Sequence, residues 1–330
     1  MDGMTVSLMV WLVTCAVILG LFVFDFYAHV RVPHEPTFRE SAIWSSVYIG
    51  LAVVFGFVVW WIWGGQFAGE YFAGYVTEKA LSVDNLFVFT VIMGTFAVPR
   101  EFQQKLLLIG IVLALVMRAG FIALGAAAIN SFSWVFYLFG IFLVLTAVKL
   151  AKEAGHEKEV EEKRDSRIIA LVRKLVPTTD TYDGDKFLTK LNGSRAVTPM
   201  LLALIAIGFT DVLFALDSIP AIYGLTKEPY IVFTANAFAL MGLRQLYFLI
   251  GGLLDRLIYL SYGLSLILAF IGVKLVLHAL HENSLPFING GEHVAVPVIS
   301  TGMSIGVIGV VLLVTTVASL AKTRGRASTS

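Results

Sequence analysis

The chain is poor in charge and in cysteine. Only 14% of its 330 residues are Asp, Glu, Lys or Arg, whereas 58% are hydrophobic, and the mean hydropathy is +0.84. A chain of this length with so little polar surface does not cover a soluble globule. The composition therefore excludes an ordinary soluble protein and predicts an all-α polytopic membrane protein.

Three further absences narrow the function. The formal net charge is only +1, so the chain lacks the basic face that nucleic-acid binding requires. The single cysteine, Cys15, forms neither an internal disulfide nor a thiolate metal cluster. The sequence contains no HExxH motif, no glycine-rich phosphate loop and no serine elbow. We therefore expect no enzyme, no organic cofactor and no nucleic-acid partner.

Apolar runs long enough to cross about 30 Å of hydrocarbon recur along the chain. Nine runs are predicted to span the membrane, at about 5–24, 41–63, 72–97, 105–129, 132–151, 197–223, 230–252, 257–281 and 296–320. No basic residue precedes the first run and Asp25 follows it, so it is not typical of a cleaved signal peptide. We expect it to remain in the mature protein.

The basic residues predict an orientation. The longest polar segment, about 152–196, is rich in lysine and arginine, and the positive-inside rule places it in the cytoplasm. Counting spans from this segment puts the N-terminus outside and the C-terminus inside. Its stretch EKEVEEKRDSR mixes both charges at helical spacing and predicts a solvated helix.

Four carboxylates lie inside the predicted spans as two matched pairs. Glu78 and Asp84 belong to EKALSVDN, and Asp211 and Asp217 belong to TDVLFALDS. An ionised acid at the centre of a spanning helix costs about 2.5–3.5 kcal/mol, so the pairs need compensation. A bound cation supplies it, and cation handling is therefore the first functional hypothesis.

The two pairs belong to a larger repeat. Aligning Glu78 with Asp211 also aligns Asp84 with Asp217, so spans three to five match spans six to eight. Because three crossings separate the triplets, the repeat is predicted to have inverted topology. The predicted units are two N-terminal spans (1–67), the first repeat (68–151), the charged cytoplasmic loop (152–196), the second repeat (197–281), and a last span with a tail (282–330).

The residues near the acids predict the kind of ion. Six residues turn an ideal helix by about 600°, which leaves the acids of a pair about 120° apart. Pro220 is expected to break the helix so that both Asp211 and Asp217 point inward. Asn85 and Ser218 add neutral oxygens. Such ligands suit Mn²⁺, Ca²⁺ or Mg²⁺ better than Zn²⁺.

The histidines are expected to be interfacial side chains rather than ligands, because they lie toward span ends and loops. They are His29, His34, His278, His281 and His293.

Basic side chains offer the acids an alternative partner. Arg118 and Arg244 fall well inside predicted spans, whereas Lys149 and Lys274 lie nearer span ends. Two acid–arginine pairs would hold a bundle together without any transport. Because four acids outnumber two central arginines, we favour a transport site. In it, a bound cation and these possible counter-ions would neutralise the acids in turn during transport.

The motifs EKALSVDNLFVF and GFTDVLFALDSIPAI, the arginine-bearing spans and the charged loop resemble the TerC family of integral membrane proteins over about 68–281. The resemblance implies a location in the bacterial plasma (inner) membrane or in a plastid membrane, of which we expect the plasma membrane, and, in several members, export of Mn²⁺. It also implies metal-site roles for the residues that match the motif: Glu78, Asp84, Asn85, Asp211, Asp217 and Ser218. The tellurium in the family's name follows from no residue here, since an acidic site repels an oxyanion.

Three functions remain open at this point. The leading one is a secondary transporter that exports a divalent ion, most readily Mn²⁺, with protons moving the other way through the same carboxylates. A membrane partner that delivers metal to secreted enzymes is a variant. A scaffold for tellurite, oxyanion or metal stress that transports nothing is the rival. The expected partners are the cation and the lipid bilayer, and no pattern indicates an oligomeric state.

Overall fold

The computed structural model describes residues 4–31, 33–132, 134–153, 178–179, 181–191, 194–250, 259–283, 285 and 288–327. The helices are α1 (Leu8–Asp25), α2 (Phe38–Trp63), α3 (Gly65–Thr95), α4 (Arg100–Ser131), α5 (Val135–Glu153), α6 (Pro199–Tyr223), α7 (Pro229–Leu240), α8 (Leu243–Ile250), α9 (Leu260–His281) and α10 (Thr301–Ala327). A π-helical turn (Phe26–Val30) extends α1, and a 3₁₀ turn (Asn289–Gly291) precedes α10. Strands β1 (Leu188–Leu191) and β2 (Ser194–Val197) form an antiparallel hairpin with Leu188 opposite Val197.

Eight helical segments of the described chain are long and apolar enough to cross a membrane, which confirms the all-α membrane fold. They are α1 with its π-helical turn, α2, α4, α5, α6, α7 joined to α8, α9 and α10. Helix α3 has 31 residues but carries Glu70, Glu78, Lys79 and Asp84, too many charges to count among them. Its crossing, and with it the ninth span, stays a prediction.

Local chemistry explains several helix ends. The Thr37 side chain accepts a hydrogen bond from Glu40 N at 3.2 Å, which caps the start of α2. Gly64 separates α2 from α3 with φ +96°, a conformation that favours glycine. Pro199 begins α6, where a missing backbone N–H costs nothing.

The predicted helix break at Pro220 is wrong. Helix α6 continues through Pro220 to Tyr223, and Gly224 N donates to Pro220 O at 2.9 Å. Pro220 removes the N–H that would donate to Leu216 O, so α6 continues here with one helical hydrogen bond missing.

The break lies instead between α7 and α8, inside the predicted span 230–252. Gly242 has φ +77° there, and Lys79 Nζ donates to Ala239 O at 3.0 Å and to Met241 O at 3.4 Å. The half-buried Lys79 thus donates to carbonyls at and just past the end of α7.

The contacts between helices are the same when the two predicted repeats, α3 to α5 and α6 to α9, are exchanged. Helix α3 packs on α7, α4 packs on α6, and α5 packs on α9. A two-fold related pair of triplets would pack in this way, although the inverted repeat itself remains a prediction.

The hairpin belongs to the predicted charged loop, and the segment just before β1 contacts α4 and the connection that precedes it. Lys105 Nζ on α4 lies 2.6 Å from Asp185 Oδ2, and the Tyr182 hydroxyl donates to Phe96 O at 2.8 Å. The stretch EKEVEEKRDSR lies outside the described residues.

Candidate functional site

Arg118 on α4 is the centre of a fully buried polar network. Its Nε and Nη2 donate to the two carboxylate oxygens of Asp211 at 3.2 and 3.0 Å, a two-point pair that fits the planar guanidinium. Its Nη1 hydrogen-bonds Glu78 Oε1, Asn236 Oδ1 at 2.8 Å and Ser218 Oγ at 3.1 Å. The network joins α3, α4, α6 and α7, and Arg118 itself is 0% exposed.

A cavity of about 460 Å³ adjoins this network and is lined by the second acid of each pair, Asp84 and Asp217. The Thr146 hydroxyl donates to Asp217 Oδ1 at 3.0 Å, and the Ser261 hydroxyl donates to Asp84 Oδ1 at 3.3 Å. Ser218 belongs to both places, since it lines the cavity and accepts from Arg118.

Helix geometry explains why the acids of each pair separate. Both α3 and α6 run unbroken across their pairs, so an angle of about 120° between the two side chains is retained. Glu78 and Asp211 therefore meet Arg118, while Asp84 and Asp217 line the cavity.

The four acids therefore lie in two separate sites, the Arg118 network and the cavity, and do not form one cluster. Among the residues that the structure describes, no three His, Cys, Asp or Glu side chains come together closely enough to hold a metal ion. The assignment of metal ligands stays a prediction.

The four candidate counter-ions have different partners. Arg118 pairs with two of the predicted acids, and Lys149 lines the cavity with Asp217. Arg244 lies elsewhere, with Nη2 at 2.8 Å from Asp25 Oδ1, and Lys274 donates to Ser304 Oγ at 3.0 Å. Only part of the predicted set therefore serves these acids in this structure.

Sequence reasoning missed four polar residues of these networks. They are Asp25, Thr146, Asn236 and Ser261. Each is a polar side chain within or next to an apolar run, and for Asn236 in TANAFAL this isolation was the available signal.

A bundle of apolar helices around a buried arginine–carboxylate network defines a polytopic membrane protein with a polar site inside its helix bundle. The family described as "Integral membrane protein TerC family" matches residues 63–327, and the chain belongs to that family.

Relatives match most of the chain. An uncharacterized membrane protein of Mycobacterium tuberculosis (strain ATCC 25618 / H37Rv) is 53% identical over 325 residues, which is 98% of this chain and 82% of the relative. An uncharacterized membrane protein of Myxococcus xanthus is 40% identical over 267 residues, covering 81% and 83%. "Putative membrane-bound redox modulator Alx" of Escherichia coli (strain K12) is 38% identical over 255 residues, covering 75% and 78%. No solved structure matches the chain at a significant level.

Proposed function

We propose that this protein is a secondary transporter that exports a divalent cation, with Mn²⁺ the favoured ion. The observation that supports the proposal is the cavity between α3, α5 and α6, where Asp84 and Asp217 stand together with the neutral oxygens of Asn85, Ser218 and Thr146. Acids within membrane spans mark functional sites by default, and these two line one shared cavity.

The charges of the site suit a divalent ion. The described charged residues of the network and of the cavity lining are four acids and the two bases Arg118 and Lys149. When all are ionised, two negative charges exceed the positive ones. A bound divalent cation would balance them, whereas an oxyanion would increase the excess.

The ligand types favour a hard ion. The described lining of the cavity offers carboxylate, amide and hydroxyl oxygens and includes no histidine, cysteine or methionine. Such oxygens suit Mn²⁺, Ca²⁺ and Mg²⁺, whereas Zn²⁺ and Cu⁺ prefer nitrogen and sulfur.

The two acid sets are proposed to have separate roles. Arg118 neutralises Glu78 and Asp211 and holds the helices around the site. Asp84 and Asp217 bind the metal and, after its release, take up protons that move in the opposite direction. The break between α7 and α8, next to Asn236 on α7, places irregular backbone near the network, as in many transporters.

Flux measurements test the proposal. Purified protein in proteoliposomes should move Mn²⁺ in response to a pH gradient, and Asp84→Asn and Asp217→Asn should each abolish the flux while the protein still folds. Asp183→Asn removes an exposed carboxylate from the segment before β1 and is the matched control with unchanged flux. Running Mn²⁺, Ca²⁺, Mg²⁺ and Zn²⁺ in parallel ranks the ions.

Two results would contradict the proposal. Unchanged Mn²⁺ flux in both Asn variants would remove the cavity from the transport path. No flux of any ion in the wild-type protein would favour the scaffold or metal-delivery function. Flux that is insensitive to the pH gradient would exclude proton coupling but would leave the export proposal standing.

A redox function through a thiol pair finds no support in this chain. Cys15 is its only cysteine and is exposed on α1. The redox role in the printed name of some relatives is therefore not proposed for this protein.

A further inference from the structure

An apolar groove of about 450 Å³ runs along the bundle between α1 and α4, apart from the carboxylate cavity. Its lining comes mainly from 15–27, which is α1 with its π-helical turn, and from 108–119 of α4. Both segments are long and apolar enough to cross a membrane, and Leu19, Val23 and Val116 in the lining are exposed. The groove therefore opens toward the surroundings of the bundle, which in a bilayer are lipid chains.

The groove has about the length of one lipid leaflet. The twelve-residue step from Cys15 to Tyr27 is about 18 Å at the helical rise of 1.5 Å per residue. The hydrocarbon core of a bilayer is about 30 Å thick, so the groove covers little more than half of it. Its described lining residues include no charged side chain, and they offer a lipid chain only van der Waals contact. Any preference for one lipid must therefore come from the end of the groove.

The π-helical turn forms a polar end of the groove. His29 in this turn is 6% exposed and packs on Trp44, whereas Tyr27 is 63% exposed and lines the groove. The expectation that His29 is an interfacial side chain is therefore wrong, and Tyr27 is the aromatic side chain suited to the interface. Arg31 follows the turn directly, and its backbone N donates to Phe26 O at 3.0 Å.

This end of the groove carries an uncompensated positive charge. Arg31 is exposed, and no acid of the described chain forms an ion pair with it. Lys105 lies on α4 one turn before Ile109 of the groove, but Asp185 Oδ2 at 2.6 Å balances its charge. A guanidinium group binds phosphate oxygens through paired hydrogen bonds, and a tyrosine hydroxyl donates one more. The chemistry of this end therefore suits a phosphodiester.

We propose that the groove binds one anionic phospholipid. An acyl chain lies along α1 and α4, and the phosphate contacts Arg31 and the Tyr27 hydroxyl. An anionic headgroup balances Arg31, whereas a zwitterionic headgroup brings its own cation. A second copy related by a two-fold axis along the membrane normal would bring a second Arg31 to the same level, where like charges repel. None of these residues lines the metal cavity, so the site is independent of the proposed export.

The single cysteine allows a direct test. Cys15 is exposed and lines the end of the groove away from Tyr27, so a bimane label on it reports an acyl chain in the groove. The labelled protein is placed in phosphatidylcholine vesicles with rising fractions of phosphatidylglycerol or phosphatidylcholine brominated in the acyl chains, which quench the label on contact. Half-maximal quenching should need about fivefold less brominated phosphatidylglycerol than brominated phosphatidylcholine, the effect of one basic residue near an anionic lipid.

The preference should disappear in Arg31→Gln and persist in Lys322→Gln. Lys322 is an exposed base on α10, which lines no described part of the groove. Quenching that rises in proportion to either lipid without preference would indicate ordinary boundary lipid and overturn the proposal. A preference that is unchanged in Arg31→Gln would also overturn it. A Cys15–Cys15 disulfide formed between unlabelled copies under mild oxidation would assign the groove to a second copy instead.

A second measurement uses the protein without a label. Phosphatidylglycerol added to the detergent-solubilised protein should raise Tm more than phosphatidylcholine does, because a ligand that binds only the folded state stabilises it. The extra rise should be lost in Arg31→Gln and retained in Lys322→Gln. An equal rise with both lipids in the wild-type protein would overturn the proposal, whatever the Mn²⁺ flux assay shows.

Discussion

Arg118 Nη2 lies 3.0 Å from Asp211 Oδ1, and neither side chain is more than 2% exposed. The same guanidinium also pairs with Glu78, so one base from α4 holds acids from α3 and α6. Structural ion pairing therefore accounts for the first acid of each repeated motif. The second acids, Asp84 and Asp217, line the cavity instead.

Replacing Arg118 should destabilise the protein strongly. Arg118→Met leaves Glu78 and Asp211 buried without their cation, and breaking a buried pair in this way costs about 3–5 kcal/mol. The free energy of unfolding in mixed detergent–SDS micelles measures the loss. Adding Glu78→Gln and Asp211→Asn should restore much of it.

Arg100→Met is the control for this prediction. It breaks a pair with Glu35 whose side chains are 76% and 52% exposed, and it should change little. Equal losses in Arg118→Met and Arg100→Met would show that the buried network does not hold the helices together.

Thr146→Val should weaken metal binding without removing a charged ligand. The hydroxyl that orients Asp217 is lost, and one hydrogen bond contributes about 0.5–1.5 kcal/mol. The Mn²⁺ concentration for half-maximal flux should rise roughly two- to tenfold. Thr90→Val, which removes a hydroxyl that contacts Leu86 O and Tyr247 and does not line the cavity, should leave it unchanged. A similar rise in both variants would argue against the cavity as the binding place.

The contact of α5 with α9 should tolerate no side chain at its closest point. A Cβ on Gly140 would lie 2.8 Å from Gly272 O, and a Cβ on Gly272 would lie 2.8 Å from Gly140 O. Gly140→Ala and Gly272→Ala should each lower stability by about 1–3 kcal/mol, because the backbones must separate. Gly120→Ala meets nothing within 4 Å and should be neutral or slightly stabilising. Equal stability of all three variants would show that the helices do not approach so closely.

The hairpin contact should depend on pH. The hydrogen bond from Lys105 lowers the pKa of Asp185 below its ordinary value of 3.8. A lowered folded-state pKa gives stability that is present above about pH 4 and is lost as the pH falls through the folded value. Asp185→Asn should therefore lower Tm at pH 7, and the difference from wild type should narrow below about pH 4.

The effect on Tm should be small, since Asp185 is 39% exposed and solvent screens the pair. Lys105→Met should show the same pH dependence, and the double variant should add little to either single change. A Tm difference that is constant with pH would rule out the ion pair as its source.

Labelling tests the predicted orientation. Lys186 precedes the hairpin, and Glu292 is exposed in the connection between α9 and α10. With Cys15 replaced by serine, Lys186→Cys should react from the cytoplasm and Glu292→Cys from the opposite side with an impermeant maleimide. The reason is that α6, α7 with α8, and α9 make three crossings between them. Reaction of both positions from one side would contradict both the predicted number of spans and the inverted repeat.

Composition and spacing alone determined the class of this protein. A chain with 58% hydrophobic residues in repeated long runs has no stable place except a bilayer, and eight apolar helices follow from those runs. The six-residue spacing of each acidic pair predicts a divergence of about 120° on a continuous helix, but the expected break at Pro220 would have turned Asp211 and Asp217 to the same side, and that expectation was wrong.

Only the tertiary structure decided which partner each charge meets. Arg118 contacts Asp211, 93 residues away, and Arg244 contacts Asp25, 219 residues away, although the sequence alone makes the two arginines equivalent. The predicted break at Pro220 and the observed one at Gly242 show the same limit, because proline and glycine both permit a break and the sequence alone does not say which one is used. Ion pairing and helix breaks depend on packing between distant segments, and local sequence pattern carries no information about that packing.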